Sequence, residues 1–251
     1  MSQVFHPAAN ALARGTIFGG IFLIAAVAAG ARLYHDSPYM TQQDVVRDQP
    51  VPFSHDHHVS GLGIDCRFCH ATVEKTASAG LPTTETCMGC HALIWNRSPL
   101  LAPVRESFRT GEPLAWTRVY DVPDFVYFNH SIHVAKGIGC ESCHGRIDQM
   151  PLTRKAVTLH MQWCLDCHRE PESAVRPREN VFRFGVEKQP STGSAPQHAF
   201  EATKPAGGTT ETLTKADHTR HATPSGSDPH ELVRQYGIKT HQLSDCVVCH
   251  R

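Results

Sequence analysis

Residues 128–144 read Phe128-Asn129-His130-Ser131-Ile132-His133-Val134-Ala135-Lys136-Gly137-Ile138-Gly139-Cys140-Glu141-Ser142-Cys143-His144, and residues 53–70 repeat their plan. There Phe53, His55, His58 and Val59 lead through Gly63 and Ile64 to Cys66, Cys69 and His70. The shared pattern is Phe-x-His-x-x-His-Val, then Gly-Ile-x-Cys-x-x-Cys-His. Each copy is followed by one further Cys-x-x-Cys-His, which makes two modules of the same design.

All ten cysteines of the chain fall into such triples: Cys66–Cys69–His70, Cys87–Cys90–His91, Cys140–Cys143–His144, Cys164–Cys167–His168 and Cys246–Cys249–His250. The spacing suits covalent attachment of c-type haem. Two thiols add across the two vinyl groups of one haem, and the adjacent histidine places an imidazole under the iron. Histidine is 18 of 251 residues, so chance puts one after a given Cys-x-x-Cys about 7% of the time, and five in five on the order of once in a million. Structural zinc would want sets of four ligands, into which five Cys-Cys-His triples do not divide. A thioredoxin-like motif needs a βαβ context that is missing, and a disulfide framework would not need the histidines. Five covalently bound haem c groups are therefore expected, with His70, His91, His144, His168 and His250 as proximal iron ligands.

Subtracting these five from 18 histidines leaves thirteen. Histidines three apart on a helical turn lie on one face, about 5–6 Å between Cβ atoms, so they cannot easily bind one iron from opposite sides. His55 and His58 are thus expected as distal ligands of two different haems, and His130 and His133 likewise. That arrangement pulls the haems of each module together, as electron carriers require; the plain alternative is surface or core histidine. His57 stands outside the repeat and is read as solvent-facing or propionate-binding. For the fifth haem the expected distal ligand is Met161, with His160, Met150, His218, His221 and His241 as alternatives. A methionine ligand would raise the potential of its haem relative to bis-histidine neighbours; ordinary packing against a porphyrin face is the other reading of Met161.

Lysine plus arginine total 24 and aspartate plus glutamate total 24, so no charge excess points to nucleic acid or to an acidic tail. The hydrophobic fraction is 40%, lean for a globular domain of this length, and part of it is spent on one N-terminal run. From Gly15 to Ala31 no charge occurs, between Arg14 and Arg32. Leu33 and Tyr34 extend this run towards the roughly 30 Å of a hydrocarbon core. It is read as an uncleaved anchor, with a signal peptide ending near Ala29-Gly30-Ala31 as the alternative. Covalent haem attachment takes place outside the cytoplasmic membrane, so the remainder is expected on the periplasmic face of a bacterial inner membrane.

The expected fold is a multihaem cytochrome c, mostly irregular with short α-helices packed around haems, plus one N-terminal transmembrane helix. The expected divisions are 1–14 cytoplasmic, 15–34 anchor, 35–127 first two-haem module and connector, and 128–187 second module. A Pro/Gly/Ser/Thr-rich arm then spans 188–230, and the last haem segment spans 231–251. Ser98-Pro99 predicts a helix with apolar positions Leu100, Leu101, Val104 and Phe108, closed by Gly111 and made short or irregular by Pro103. Asp228-Pro229-His230-Glu231 predicts a capping box, opening a helix through Tyr236 with Gly237 at its end.

Several stretches resemble one known family. They are Val4-Phe5-His6-Pro7, Gly61-Leu-Gly-Ile-Asp-Cys-Arg-Phe-Cys-His70 and Val122-Pro-Asp-Phe-Val-Tyr-Phe-Asn-His-Ser-Ile-His133, with Cys143-His-Gly-Arg-Ile-Asp-Gln-Met-Pro-Leu152 and Trp163-Cys-Leu-Asp-Cys-His-Arg169. Together with the single anchor they look like the membrane-anchored pentahaem cytochrome c subunit of bacterial alternative complex III, a quinol:cytochrome c oxidoreductase. The likeness covers residues 4–170 well and the last motif loosely. It implies mainly bis-histidine haems, which agrees with His55, His58, His130 and His133 as distal ligands. The partners it implies are polytopic quinol-binding membrane subunits, an iron–sulfur molybdoenzyme-like periplasmic subunit and a monohaem cytochrome c subunit, with a terminal oxidase as a further acceptor.

On this reading the chain is an electron-transfer subunit and not itself an enzyme. The alternative is a stand-alone membrane-anchored quinol dehydrogenase feeding a periplasmic reductase. A pentahaem oxyanion reductase is disfavoured, since no Cys-x-x-Cys-Lys occurs and many histidines are available to close each iron.

Overall fold

The computed structural model describes residues 6, 8–186 and 228–250. Two of the candidate fifth ligands, His218 and His221, and nearly all of the 188–230 arm lie outside the described residues.

The first element, α1 (Ala8–Asp36), is a 29-residue helix, long and apolar enough to cross a membrane. At 1.5 Å per residue it is about 44 Å long, so it starts before the charge-free run and ends beyond it. Arg32 and Asp36 close its last turn with an i,i+4 ion pair of 2.6 Å. A short turn, α2 (Pro38–Thr41), leads into the rest of the chain.

Beyond α1 the described residues form short helices and no named strand, joined by isolated bridges such as Val46 with Arg154 and Val126 with His250. The five motifs become α3 (Cys66–Cys69), α4 (Thr84–His91), α7 (Cys140–His144), α8 (Met161–Arg169) and α10 (Cys246–Cys249). Between them stand α5 (Ala102–Thr110), α6 (His130–Ala135) and α9 (Pro229–Gln235). The leading motif of each module sits on a single turn, while the following one sits on a helix of eight or nine residues. Module symmetry thus extends to helix length.

The two copies of the histidine segment differ by one residue. His133 is seven positions before Cys140, and His58 is eight before Cys66. The first copy absorbs its extra residue in a π-helical turn, Asp56–Gly61, where the second forms α6. A π-turn is the local shape that accepts one added residue without shifting its flanks.

The connector behaves as the sequence predicts. A 3₁₀ turn at Pro99–Leu101 runs into α5, and Gly111 ends it in the left-handed region at φ 77°. Pro103 falls within the first turn of α5, where a missing N–H costs nothing. At α9 the Asp228 carboxylate accepts from the His230 N–H at 3.1 Å, as the predicted cap requires. Glu231 pairs with Arg234, three residues on, rather than reaching back to the cap. The box is therefore half formed: the helical i,i+3 partner competes successfully for the carboxylate.

Only ten hydrophobic side chains are buried among the described residues. The one cluster they form joins Val175 to Leu232, Val233 and Tyr236 of the α9 region, with Ile138 and Ile238 against it. It welds the last segment to the second module. Large apolar residues in and around the motifs stay open instead: Leu62, Phe68, Leu93, Ile132 and Val247 are all more than half exposed. A polypeptide that leaves such residues uncovered is shaped to pack on something else.

Candidate haem sites

In both modules the phenylalanine of the repeat sets the pose of its two histidines. Phe53 stacks on His58 with ring centres 4.5 Å apart and meets His55 edge-on at 4.9 Å. Phe128 does the same to His133 at 4.5 Å and His130 at 4.8 Å. Asn129 caps α6, its side chain accepting from the Ile132 N–H, so the turn carrying His130 and His133 starts at a defined residue.

The backbone fixes the tautomer of most rings. Nδ1 of His58 donates to the Ser54 carbonyl at 2.8 Å, and Nδ1 of His133 to the Asn129 carbonyl at 2.7 Å. The His130 Nδ1 donates to the Ala77 carbonyl at 2.8 Å, while His55 Nδ1 shares a hydrogen bond with the Thr153 hydroxyl at 3.1 Å. Among the motif histidines, Nδ1 donates to a carbonyl in four: His70 to Gly80 (2.7 Å), His91 to Ile94 (3.0 Å), His168 to Leu243 (2.9 Å) and His250 to Phe125 (3.1 Å). A carbonyl can only accept, so Nδ1 must carry the proton and Nε2 keeps its lone pair for a metal. His144 differs: its Nδ1 is buried without a hydrogen-bond partner. Its ring lies 4.4 Å from that of Tyr120.

Imidazoles coordinate a metal only when neutral, and burial favours that state at three of these rings. Burial is the main cause that holds His55 down at about 4, with His70 and His58 adding to it. His144 is held at about 4 by burial, then by His130, His70 and His55. His133 is lowered as well, again chiefly by burial.

Three pairs of rings lie at nearly the same separation. His58 and His91 have centres 6.2 Å apart, His130 and His144 6.4 Å, and His133 and His168 6.2 Å. A first-row metal binds an imidazole nitrogen at about 2.0–2.1 Å and that nitrogen lies about 1.2 Å from the ring centre, so two imidazoles in trans have centres about 6.4 Å apart. The residues present therefore fit an iron between each pair. Each pair joins a distal candidate to a different motif histidine, and His55 has His70 for its neighbour.

The thiols lie where neighbouring motifs meet. Cys66 and Cys140 are hydrogen-bonded to one another, which lowers the first and raises the second. Burial pushes the Cys143 thiol up to about 12, with Cys167 and Cys164 contributing. Asp65 caps α3, accepting from the Arg67 N–H at 2.8 Å, which fixes the turn that presents Cys66 and Cys69.

Candidates for the fifth distal position are scattered. Met150 is buried at 3% exposure, and Met161, the first residue of α8, is 66% exposed. His160, the N-cap of α8, turns to the end of α1, its ring 4.4 Å from that of His35. His35, Asp36 and His160 bring ligand-type atoms within 4.8 Å of one another, but Arg32 already holds Asp36 at 2.6 Å. Among the described residues no ring or hydrogen-bond contact joins His250 to His160 or His241; the ring beside it is Phe125, at 5.7 Å. His57 is exposed and stacks on Trp95 at 5.5 Å, a contact that nothing in the spacing announced.

Residues 126–194, which hold the third and fourth motifs, match the family model of cytochrome c7 and related cytochrome c. The fold is thus a cytochrome c7-like multihaem domain preceded by one apolar helix. Its class is multihaem cytochrome c, a carrier of covalent haem c in electron transport. A stretch of 99 residues is 36% identical to the menaquinone reductase multiheme cytochrome c subunit of Nitratidesulfovibrio vulgaris, covering 39% of this chain and 46% of that protein. The chain spans about half the length of the curated relative it matches.

Proposed function

We propose that this chain is the membrane-anchored pentahaem subunit of a quinol-oxidising complex of the alternative complex III kind. The observation that supports it most is the set of imidazole pairs at trans-ligand separation, built twice over by one repeat. Haem c, once attached there, would supply one-electron carriage. The chain's own residues hold and orient: cysteines tether at Cys66/Cys69, Cys87/Cys90, Cys140/Cys143, Cys164/Cys167 and Cys246/Cys249. His70, His91, His144, His168 and His250 would hold the irons as motif ligands, and His55, His58, His130 and His133 would supply the further imidazoles.

Met161 is the proposed distal ligand for the fifth site. It stands one turn before Cys164, on the same helix face, and the Cys164 thiol is raised by burial and then by the nearby Cys249. The two motifs therefore adjoin near the exposed Met161.

Helix α1 is the proposed uncleaved anchor in the bacterial inner membrane, with residues 35–251 on the periplasmic side. The proposed partners are polytopic quinol-binding subunits, an iron–sulfur molybdoenzyme-like subunit and a monohaem cytochrome c or terminal oxidase. One observation favours a second reading: the matched relative is named a menaquinone reductase subunit, so the same relay could deliver electrons to a quinone.

Gentle detergent extraction followed by size exclusion tests the assignment, with haem absorbance tracked and each peak challenged with a quinol. The haem is expected in a large particle that quinol reduces, while the isolated chain is inert. A chain that runs alone and is reduced directly by quinol would make it a stand-alone dehydrogenase and overturn the complex. For the ligands, His133→Ala is expected to turn one low-spin haem high-spin and leave the others unchanged. Unchanged spectra in that variant would remove His133 from the ligand set.

A further inference from the structure

We infer that the five attachment motifs follow one another in space in the order second, first, third, fourth, fifth, and not in chain order. The inference rests on the ligand assignment above and identifies which sites are inner and which are terminal.

The critical link is between the first and third motifs, and the two modules make it by exchanging loops. The loop after the first motif takes the His70 Nδ1–H on its Gly80 carbonyl at 2.7 Å. The same loop takes the third site's distal ring: His130 donates to Ala77 from Nδ1 at 2.8 Å and from its backbone at 3.1 Å. Ser131 N–H adds a bond to the Thr76 carbonyl at 3.2 Å. The loop after the third motif returns the arrangement. Thr153 of that loop holds His55 at 3.1 Å, the Asp56 N–H donates to the Met150 carbonyl at 3.2 Å, and Ser60 Oγ donates to the Asp148 carbonyl at 2.6 Å. Asp148 is buried and clamped by Arg146 through two bonds of 2.9 and 2.7 Å, so this loop is rigid where it grips the first module.

Each of these two inner sites thus has a distal imidazole positioned by the other's loop. The remaining links run outward. His58 shares its turn with His55 and faces His91 of the second motif, whose Nδ1 donates to its own Ile94 and whose helix packs on α5. His133 shares its turn with His130 and faces His168 of the fourth motif. His168 in turn donates to Leu243, three residues before the fifth motif. The second motif therefore has one neighbouring site, and the first has two.

The test uses the full haem-loaded protein in detergent, oxidised, with His55→Ala and His58→Ala each opening one iron to a high-spin state. Pulsed electron paramagnetic resonance then counts near low-spin irons around the opened one. One near neighbour is expected for His58→Ala and two for His55→Ala. The reverse count would establish chain order and overturn the inference. If neither variant produces a high-spin iron, the ligand assignment falls and the order with it.

Thr153→Val keeps every ligand and guards against a variant that fails to fold. It is expected to shift the midpoint potential of the haem paired with His55 and Cys66, although Thr153 follows the third motif in the chain. A shift confined to the haem at Cys140 would overturn the exchange of loops.

Discussion

Made without haem attachment, with alanine at all ten cysteines, the chain is expected to lack a cooperative thermal transition and to be digested rapidly throughout residues 42–186. Among the described residues only ten hydrophobic side chains are buried, for about two hundred positions. Ordering each residue costs about 1–2 kcal/mol in backbone entropy alone, and no such core offsets that. Exposed apolar residues cluster instead around the motifs, at Phe68, Ile132, Val247 and Leu93, where a macrocycle would cover them. Circular dichroism during heating and limited proteolysis of loaded and unloaded chains check the expectation. A sharp transition in the cysteine-free chain would mean that the polypeptide carries its own core.

The second large effect falls on one glycine and spares its counterpart in the repeat. Gly63 and Gly137 occupy equivalent positions and both adopt the left-handed region, at φ 69° and 76° respectively.

 A Cβ at Gly63 would meet nothing within 4 Å, so Gly63→Ala is expected to cost only the backbone penalty of about 1–2 kcal/mol. A Cβ at Gly137 would stand 2.4 Å from Tyr236 Cε2 and 2.7 Å from the Arg176 carbonyl. Forced overpacking adds about 1–3 kcal/mol, so Gly137→Ala is expected to cost about 2–5 kcal/mol. The loss should appear first in the α9 region, because Tyr236 anchors it through the cluster with Val175 and a 3.2 Å bond from its hydroxyl to the Arg176 carbonyl. Chemical denaturation of the two loaded variants checks the difference. Equal costs would show that the close approach of Tyr236 to Gly137 is not a constraint.

Much of the local design was legible in the residues. The Cys-x-x-Cys-His spacing announces its own chemistry, because two thiols and an imidazole must reach one macrocycle from one turn. The repeat exposed Phe53 with His55 and His58, and Phe128 with His130 and His133, as matching units. Their ring stacking at 4.5 Å in both copies follows from that equal spacing. The cap at Asp228, the stop at Gly111 and the apolar run inside α1 are likewise local, and each needs only its neighbours in sequence. The half-formed capping box marks the edge of that legibility: Glu231 had two local partners, and the choice of Arg234 was not written in the motif.

What spacing could not supply is which histidine of each repeat turn meets which motif histidine, since His130 and His144 are fourteen positions apart while His133 and His168 are thirty-five. Nor could it show that the loop after each leading motif serves the other module. Those pairings join segments 53 to 98 positions distant, as in His130 with Ala77 and Thr153 with His55. Such contacts exist only once the two modules face each other, and composition does not record that approach. The sequence by itself determined the Cys-x-x-Cys-His spacing, the duplicated histidine turn and the apolar helix, because each is set within a few residues. Only the tertiary structure decided the neighbours of each site, because those depend on loops that carry no motif and meet only across the interface between modules.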